Sequence, residues 1–123
     1  MKRCRSFNLL ILEEYTLVAN NGGCKHVDGK FVVWCFHTDK TESNCRLDCT
    51  SYNLCIGFFH GGSNNCRLIP SSENCPETYT LNNREKTVAE TTSDLVPDPI
   101  WRSSRCYKRE PGKTVVHFAN SKS

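Results

Sequence analysis

Nine cysteines and four histidines carry most of the reactive chemistry open to this 123-residue chain. Three uses call for such residues: a thiolate metal site, a cysteine nucleophile beside a base, and disulfide cross-links. The densest group is Cys45-x3-Cys49-x5-Cys55-x10-Cys66. Cys45 and Cys49 are four positions apart, so on a helix both sulfurs share one face, one turn apart. A structural zinc site needs a second tight pair or two closely spaced histidines. His26, His37, His60 and His117 are scattered, so Cys45-x3-Cys49 is half a site and no metal is expected. A nucleophile needs an activated thiol beside a base. His60 lies five positions from Cys55 on the same predicted strand, which sends the two side chains to opposite faces. No glycine-rich phosphate loop or paired-carboxylate signature stands out, and Glu13-Glu14 reads as solvated surface. The expectation is no catalytic site, no cofactor and no enzyme, with the sulfurs used as bridges.

Those bridges have work to do. Only 37% of the residues are hydrophobic, and the mean hydropathy is −0.53, so the core of this single domain is thin for its length. An odd cysteine count leaves at least one sulfur without an internal partner. The net charge of +3 is unevenly spread: residues 1–5 carry +3 and 100–123 carry +5, against −5 across 6–99. Basic ends on an acidic body suit an anionic partner or solvated tails. No apolar run is long enough to span a membrane, so no membrane insertion is expected. Met1 to Arg5 is basic, but Phe7 to Leu12 is shorter than a signal h-region of roughly 7–15 residues, so no convincing signal peptide is read. With this cysteine density, the chain is expected to be a piece of a longer secreted or surface protein.

The elements that must position these groups follow from composition. Tyr15-Thr16-Leu17-Val18 predicts a strand, and the Leu-rich stretch before it suits strand or helix. Asn20-Asn21-Gly22-Gly23 predicts a turn, and Phe31 to Phe36 the clearest strand. Ser43 is expected to cap a helix from Asn44 to Leu54 that turns Cys45, Cys49 and Tyr52 inward. Cys55 to His60 and Cys66 to Ile69 predict a hairpin around Gly61 to Asn65. The polar stretch 76–99 is expected to be a long surface loop with a short strand around Tyr79 to Leu81. Ile100-Trp101 and Cys106-Tyr107-Lys108 return the chain to the core, and Thr114 to Phe118 can add a further strand.

The run Ser43-Asn-Cys-Arg-Leu-Asp-Cys-Thr-Ser-Tyr-Asn-Leu-Cys-Ile-Gly-Phe-Phe-His, followed by Asn65-Cys66-Arg67-Leu68, resembles the PAN/Apple domain family. The resemblance extends more loosely to Cys24 upstream and to Trp101 and Cys106-Tyr107 downstream. It implies a small disulfide-rich α+β fold, an antiparallel β-sheet cradling a single α-helix, over residues 15–110. Residues 1–14 would be an extension and 111–123 a tail. It also implies the pairs Cys45–Cys66, Cys49–Cys55 and Cys24–Cys106. Cys35 and Cys75 depart from the pattern and are expected to form an extra pair. Cys4 is then the odd one, available for a bridge between chains.

Function in that family is implied to be non-catalytic: extracellular binding and adhesion through protein–protein or protein–carbohydrate recognition, within a larger secreted or surface assembly. The best contact surface in the sequence is the basic, aromatic segment Trp101, Arg102, Arg105, Tyr107, Lys108 and Arg109, continued by Lys113. Arginine and lysine around aromatic rings suit sulfated or carboxylated glycans or an acidic protein face. Nucleic acid is not expected as a partner. Two other readings stay open: a structural subunit of an extracellular filament or large complex, and a small secreted effector such as a toxin or inhibitor acting through the 76–99 loop.

Overall fold

The computed structural model describes the backbone of residues 8–12, 15–110 and 113–117, and the side chains of residues 15–110. Strands form where β-branched and aromatic residues alternate, and glycine and asparagine turn the chain between them. In chain order they are β1 (Asn8–Leu12), β2 (Tyr15–Ala19), β3 (Gly23–His26), β4 (Trp34–His37), β5 (Cys55–Gly61), β6 (Asn65–Pro70), β7 (Thr80–Asn82), β8 (Leu95–Asp98), β9 (Ser104–Arg109) and β10 (Lys113–His117). One helix, α1 (Glu42–Ser51), lies between β4 and β5. A six-stranded sheet runs β2-β9-β5-β6-β4-β7, and its named pairings are antiparallel. Two further ribbons pair β3 with β8 and β1 with β10. The protein is thus a small α+β fold with one helix on a mainly antiparallel sheet.

Both faces of the sheet are covered. Neighbouring residues show it: Phe58 and Leu68 point to one side, Phe59 and Ile69 to the other, and all four are fully buried. Each such side chain contributes about 1.5–3 kcal/mol through removal from water. On the first face α1 seats Cys45 and Cys49 over Phe58, Leu68 and Tyr79. On the second face Cys24, Ala89 and Leu95 close over Trp34, Phe59 and Ile69.

Four disulfides fasten these covers. Cys45–Cys66 and Cys49–Cys55 join α1 to the β5–β6 hairpin, with Cα–Cα distances of 5.6 and 5.3 Å. Cys24–Cys106 joins β3 to β9 at 5.2 Å, and Cys35–Cys75 ties β4 to the chain ahead of β7 at 5.6 Å. These are the four pairs expected; Cys4 lies outside the described residues. Closing a loop of about 20 residues stabilises the fold by roughly 3 kcal/mol, and longer loops by more.

The helix differs from its predicted span at both ends. Thr41, not Ser43, is the cap, its hydroxyl accepting from the Asn44 N–H at 3.1 Å, so α1 begins at Glu42. It stops at Ser51 rather than Leu54 because Cys49 must meet Cys55. Six residues of continued helix span about 9 Å along the axis, too far for a disulfide. Of the predicted strand Phe31 to Phe36, Phe31 and Val32 make only isolated bridges, to Lys25 and Thr87, and β4 starts at Trp34.

The short strand expected around Tyr79 to Leu81 is present as β7, but the long surface loop expected over the rest of 76–99 is corrected by the structure. This stretch supplies β7 at the sheet edge, a 3-10 turn at Thr92–Asp94, and β8. Tyr79, Ala89, Leu95 and Asp98 are buried. Its apolar residues are few, but Tyr79 packs under α1 on the first face, and Ala89 and Leu95 roof the second. At Gly57 the adjacent strand β9 and the cover residue Leu95 come so close that a Cβ would sit 2.6 Å from the Tyr107 carbonyl oxygen and 2.8 Å from Leu95 Cδ1. Only glycine fits there.

Candidate functional site

The six residues singled out as a contact surface do not gather in one place. β9 is interior to the sheet, and its side chains alternate between the faces. Arg105, Tyr107 and Arg109 lie on the helix side. Arg105 reaches Glu42 Oε1 at 3.6 Å, and the Tyr107 hydroxyl donates to Glu42 Oε2 at 3.1 Å while its ring stacks on Phe58. Arg109 is committed to the backbone. Its Nη1 donates to the carbonyls of Cys49, Tyr52 and Cys55 at 3.0–3.1 Å, and Nη2 to that of Thr50 at 3.0 Å. A cation at a helix C-terminus also meets the negative end of the macrodipole. Lys108, on the other side, is 4.0 Å from Glu110 Oε2. The side chain of Lys113 lies outside the described residues, as do Glu13 and Glu14.

Trp101 and Arg102 belong to a separate place, the turn between β8 and β9. Asp98, almost fully buried, builds that turn: Oδ1 accepts from the Ile100 N–H at 3.3 Å and Oδ2 from Trp101 Nε1 at 3.2 Å. Ser104 N–H closes it onto the Trp101 carbonyl at 3.0 Å. Trp101 packs edge-on to Trp34 with centroids 5.7 Å apart and tilts against Phe59 at 5.5 Å. Ile100, 63% exposed, and Arg102 project from the tip.

One residue at this end of the sheet was not singled out from the sequence. Arg67 stands on β6 between Phe36 of β4 and Phe59 of β5, on the second face. Its guanidinium carbon lies 4.6 Å from the Trp101 ring centroid, 4.9 Å from Phe36, 5.4 Å from Trp34 and 5.5 Å from Phe59. Lys86 Nζ is also over Trp34, at 4.6 Å. Burial lowers the pKa of Arg67 from its ordinary value, yet an arginine stays charged. The available signal was alternation: a residue between buried Cys66 and Leu68 must face away from them, toward the second core.

Arg67 opens onto two depressions. One, of about 240 Å³, is lined by Trp34, Phe36, Arg67, Thr80, Leu81 and Asn82. The other, of about 210 Å³, includes Asn65, Arg67, Trp101, Arg102 and Ser103. A third, of about 200 Å³ beside α1, holds Lys40, Asp48 and Tyr79. There the charges answer each other: Lys40 Nζ is 3.0 Å from Asp48 Oδ2, which accepts from the Tyr79 hydroxyl at 2.6 Å. Burial, followed by the Asp48 contact, pushes the Tyr79 hydroxyl far above the ordinary tyrosine range.

The cysteine–histidine chemistry weighed from the sequence is not assembled among the described residues. Cys55 is bridged to Cys49, and His60 Nε2 lies 2.6 Å from the Lys40 carbonyl. No three histidine, cysteine or acidic side chains there are placed to share a metal ion. No described helix is long and apolar enough to cross a membrane. No family model, curated protein or solved structure matches the chain.

Proposed function

We propose that this chain is a non-catalytic recognition module of PAN/Apple type, acting outside the cell within a larger secreted or surface assembly. Its ligand is a protein or an acidic glycan. The observation that carries this reading is the turn Ile100–Ser104. Its tip offers an exposed apolar residue and a cation, Ile100 and Arg102, while its base is fixed by Asp98, Trp101 and the Cys24–Cys106 bridge. A projection with few conformations to lose is suited to binding, because ordering costs are met before the ligand arrives. The four bridges support an oxidising compartment. The helix clipped twice to a hairpin supports the family assignment.

Two measurements test the reading. Alkylation of the denatured, unreduced protein followed by intact mass should modify at most one thiol; five or more would overturn the extracellular scaffold. The oxidised protein should be retained on a column bearing a sulfated glycan or an acidic protein at low salt, and released by about 0.5 M NaCl as screening tightens. Ile100→Asp combined with Arg102→Glu should weaken that retention. Passage of the wild-type protein through both columns at low salt would overturn recognition as its role.

A further inference from the structure

Arginines packed on this sheet settle their charge in different ways. Arg46 lies over Tyr15, Phe58 and Tyr107 at 4.8–5.5 Å, and Glu42 stands 3.9 Å from its Nη2. Arg109 spends its donors on backbone carbonyls. Arg67 has the aromatic packing alone. Among the described residues its side chain makes no hydrogen bond and no ion pair, and its enclosed Nε lacks an acceptor. A half-buried guanidinium with no protein acceptor keeps its outer donors available to an anion arriving from outside. Neither depression at Arg67 is lined by a carboxylate, whereas Arg102 adds a second cation to one of them.

The rest of the lining narrows the ligand. Thr80 and Asn82 on one side, and Asn65 and Ser103 on the other, supply hydroxyl and amide partners. Trp34 and Trp101 supply aromatic surface beside them. Each depression is smaller than the roughly 300–1,000 Å³ of a drug-sized pocket, so each suits a single ring rather than a compact bulky ligand. We infer that Arg67 is the oxyanion contact of an acidic saccharide site, with the sulfate or carboxylate on the guanidinium and adjoining rings in the two depressions. This rests on the recognition role proposed above and places the contact on β6, a strand outside the basic segment that the sequence emphasised.

The two tryptophans of the chain, Trp34 and Trp101, both flank Arg67, so their fluorescence reports the site directly. Titrating the oxidised protein with a heparin-derived tetrasaccharide, and separately with its desulfated, carboxylate-bearing counterpart, should give a saturable change. Whichever arm binds more tightly identifies sulfate or carboxylate as the group held. Arg67→Gln should weaken binding at least about tenfold, the scale of a lost charge-assisted fork, and Arg67→Lys should not restore it fully. Lys30→Gln, an equal loss of charge on an exposed turn, should change affinity less than about twofold. Column retention with no tryptophan response, or equal affinity of folded Arg67→Gln, would overturn this site while leaving the recognition role standing. A response to an acidic peptide but to neither saccharide would overturn the saccharide assignment. Should Arg67→Gln fail to fold, the Nε–H resonance of Arg67 in the wild-type protein decides: it should move on saccharide addition, and a stationary signal overturns the inference.

Discussion

Arg109→Ala should be a damaging change on the helix face although it removes no core side chain. The guanidinium bonds four carbonyls that surround the end of α1 and the start of β5. Two of the four keep a second donor, since Tyr52 N–H reaches the Cys49 carbonyl and Cys55 N–H reaches that of Tyr52. The loss therefore falls mainly on Thr50 and Cys55. At about 1.5–3 kcal/mol per bond to a charged donor, and allowing for water reaching a partly buried site, the cost is about 3 kcal/mol. For a domain of this size about 4 °C of Tm follows each kcal/mol, so Arg109→Ala should lower Tm by about 12 °C in the oxidised protein. Arg109→Lys should lose about half of that, because a single ammonium cannot serve acceptors spread across a planar fork. Circular dichroism melts of both variants, with thiol counts confirming intact bridges, make the comparison. A drop of less than about 3 °C for the alanine variant would refute the argument and show that the Cys49–Cys55 bridge alone holds the helix end.

Gly57→Ala should destabilise by about 1–3 kcal/mol in guanidinium unfolding, since its Cβ would meet the Tyr107 carbonyl and Leu95; a neutral result would mean that β8 yields easily. Tyr79 and Tyr52 are both held neutral by burial, so in tyrosinate absorbance titrations they should ionise above the ordinary value of about 10. Their folded pKa values are raised, so the unfolded chain releases its protons first and stability should fall as pH rises past about 10; Tyr79→Phe should flatten that slope. Replacing Cys45 and Cys66 together by serine should cost about 3 kcal/mol, from the loop the bridge closes, and a loss below about 1 kcal/mol would show that packing of α1 suffices.

The β5–β6 hairpin was legible because its apolar residues and its Gly-Asn turn agree with each other. The helix was legible in type but not in bounds: Thr41 and Ser43 are equivalent caps by residue type, and the stop at Ser51 is imposed by a bridge. Three of the cysteine pairs came from a resemblance and Cys35–Cys75 from the cysteines that departed from it, as spacing does not distinguish among many pairings. The second cover was hidden, because Ala89, Leu95 and Asp98 carry little of the hydrophobic signal that marks a core. Arg67 was hidden for the same reason. Read against a sheet with one wet face, an arginine between Cys66 and Leu68 is ordinary surface; with a roof on that face it becomes a half-buried charge.

The Cys24–Cys106 bridge has a mechanical meaning. It joins positions 82 residues apart, close to both ends of the described domain. Tension applied through the flanking chain meets the β1–β10 ribbon and then the β2–β9 ladder, from Tyr15 opposite Arg109 inward to Ala19 opposite Cys106. Once those bonds part, the load crosses the sulfur–sulfur bond, and the chain between bears none of it. Under force the oxidised domain should lengthen only by its outer strands, whereas full reduction should release roughly 3.5 Å for every residue in between. A fold built this way keeps the Ile100–Ser104 turn and the Arg67 depressions intact while its two ends are pulled apart.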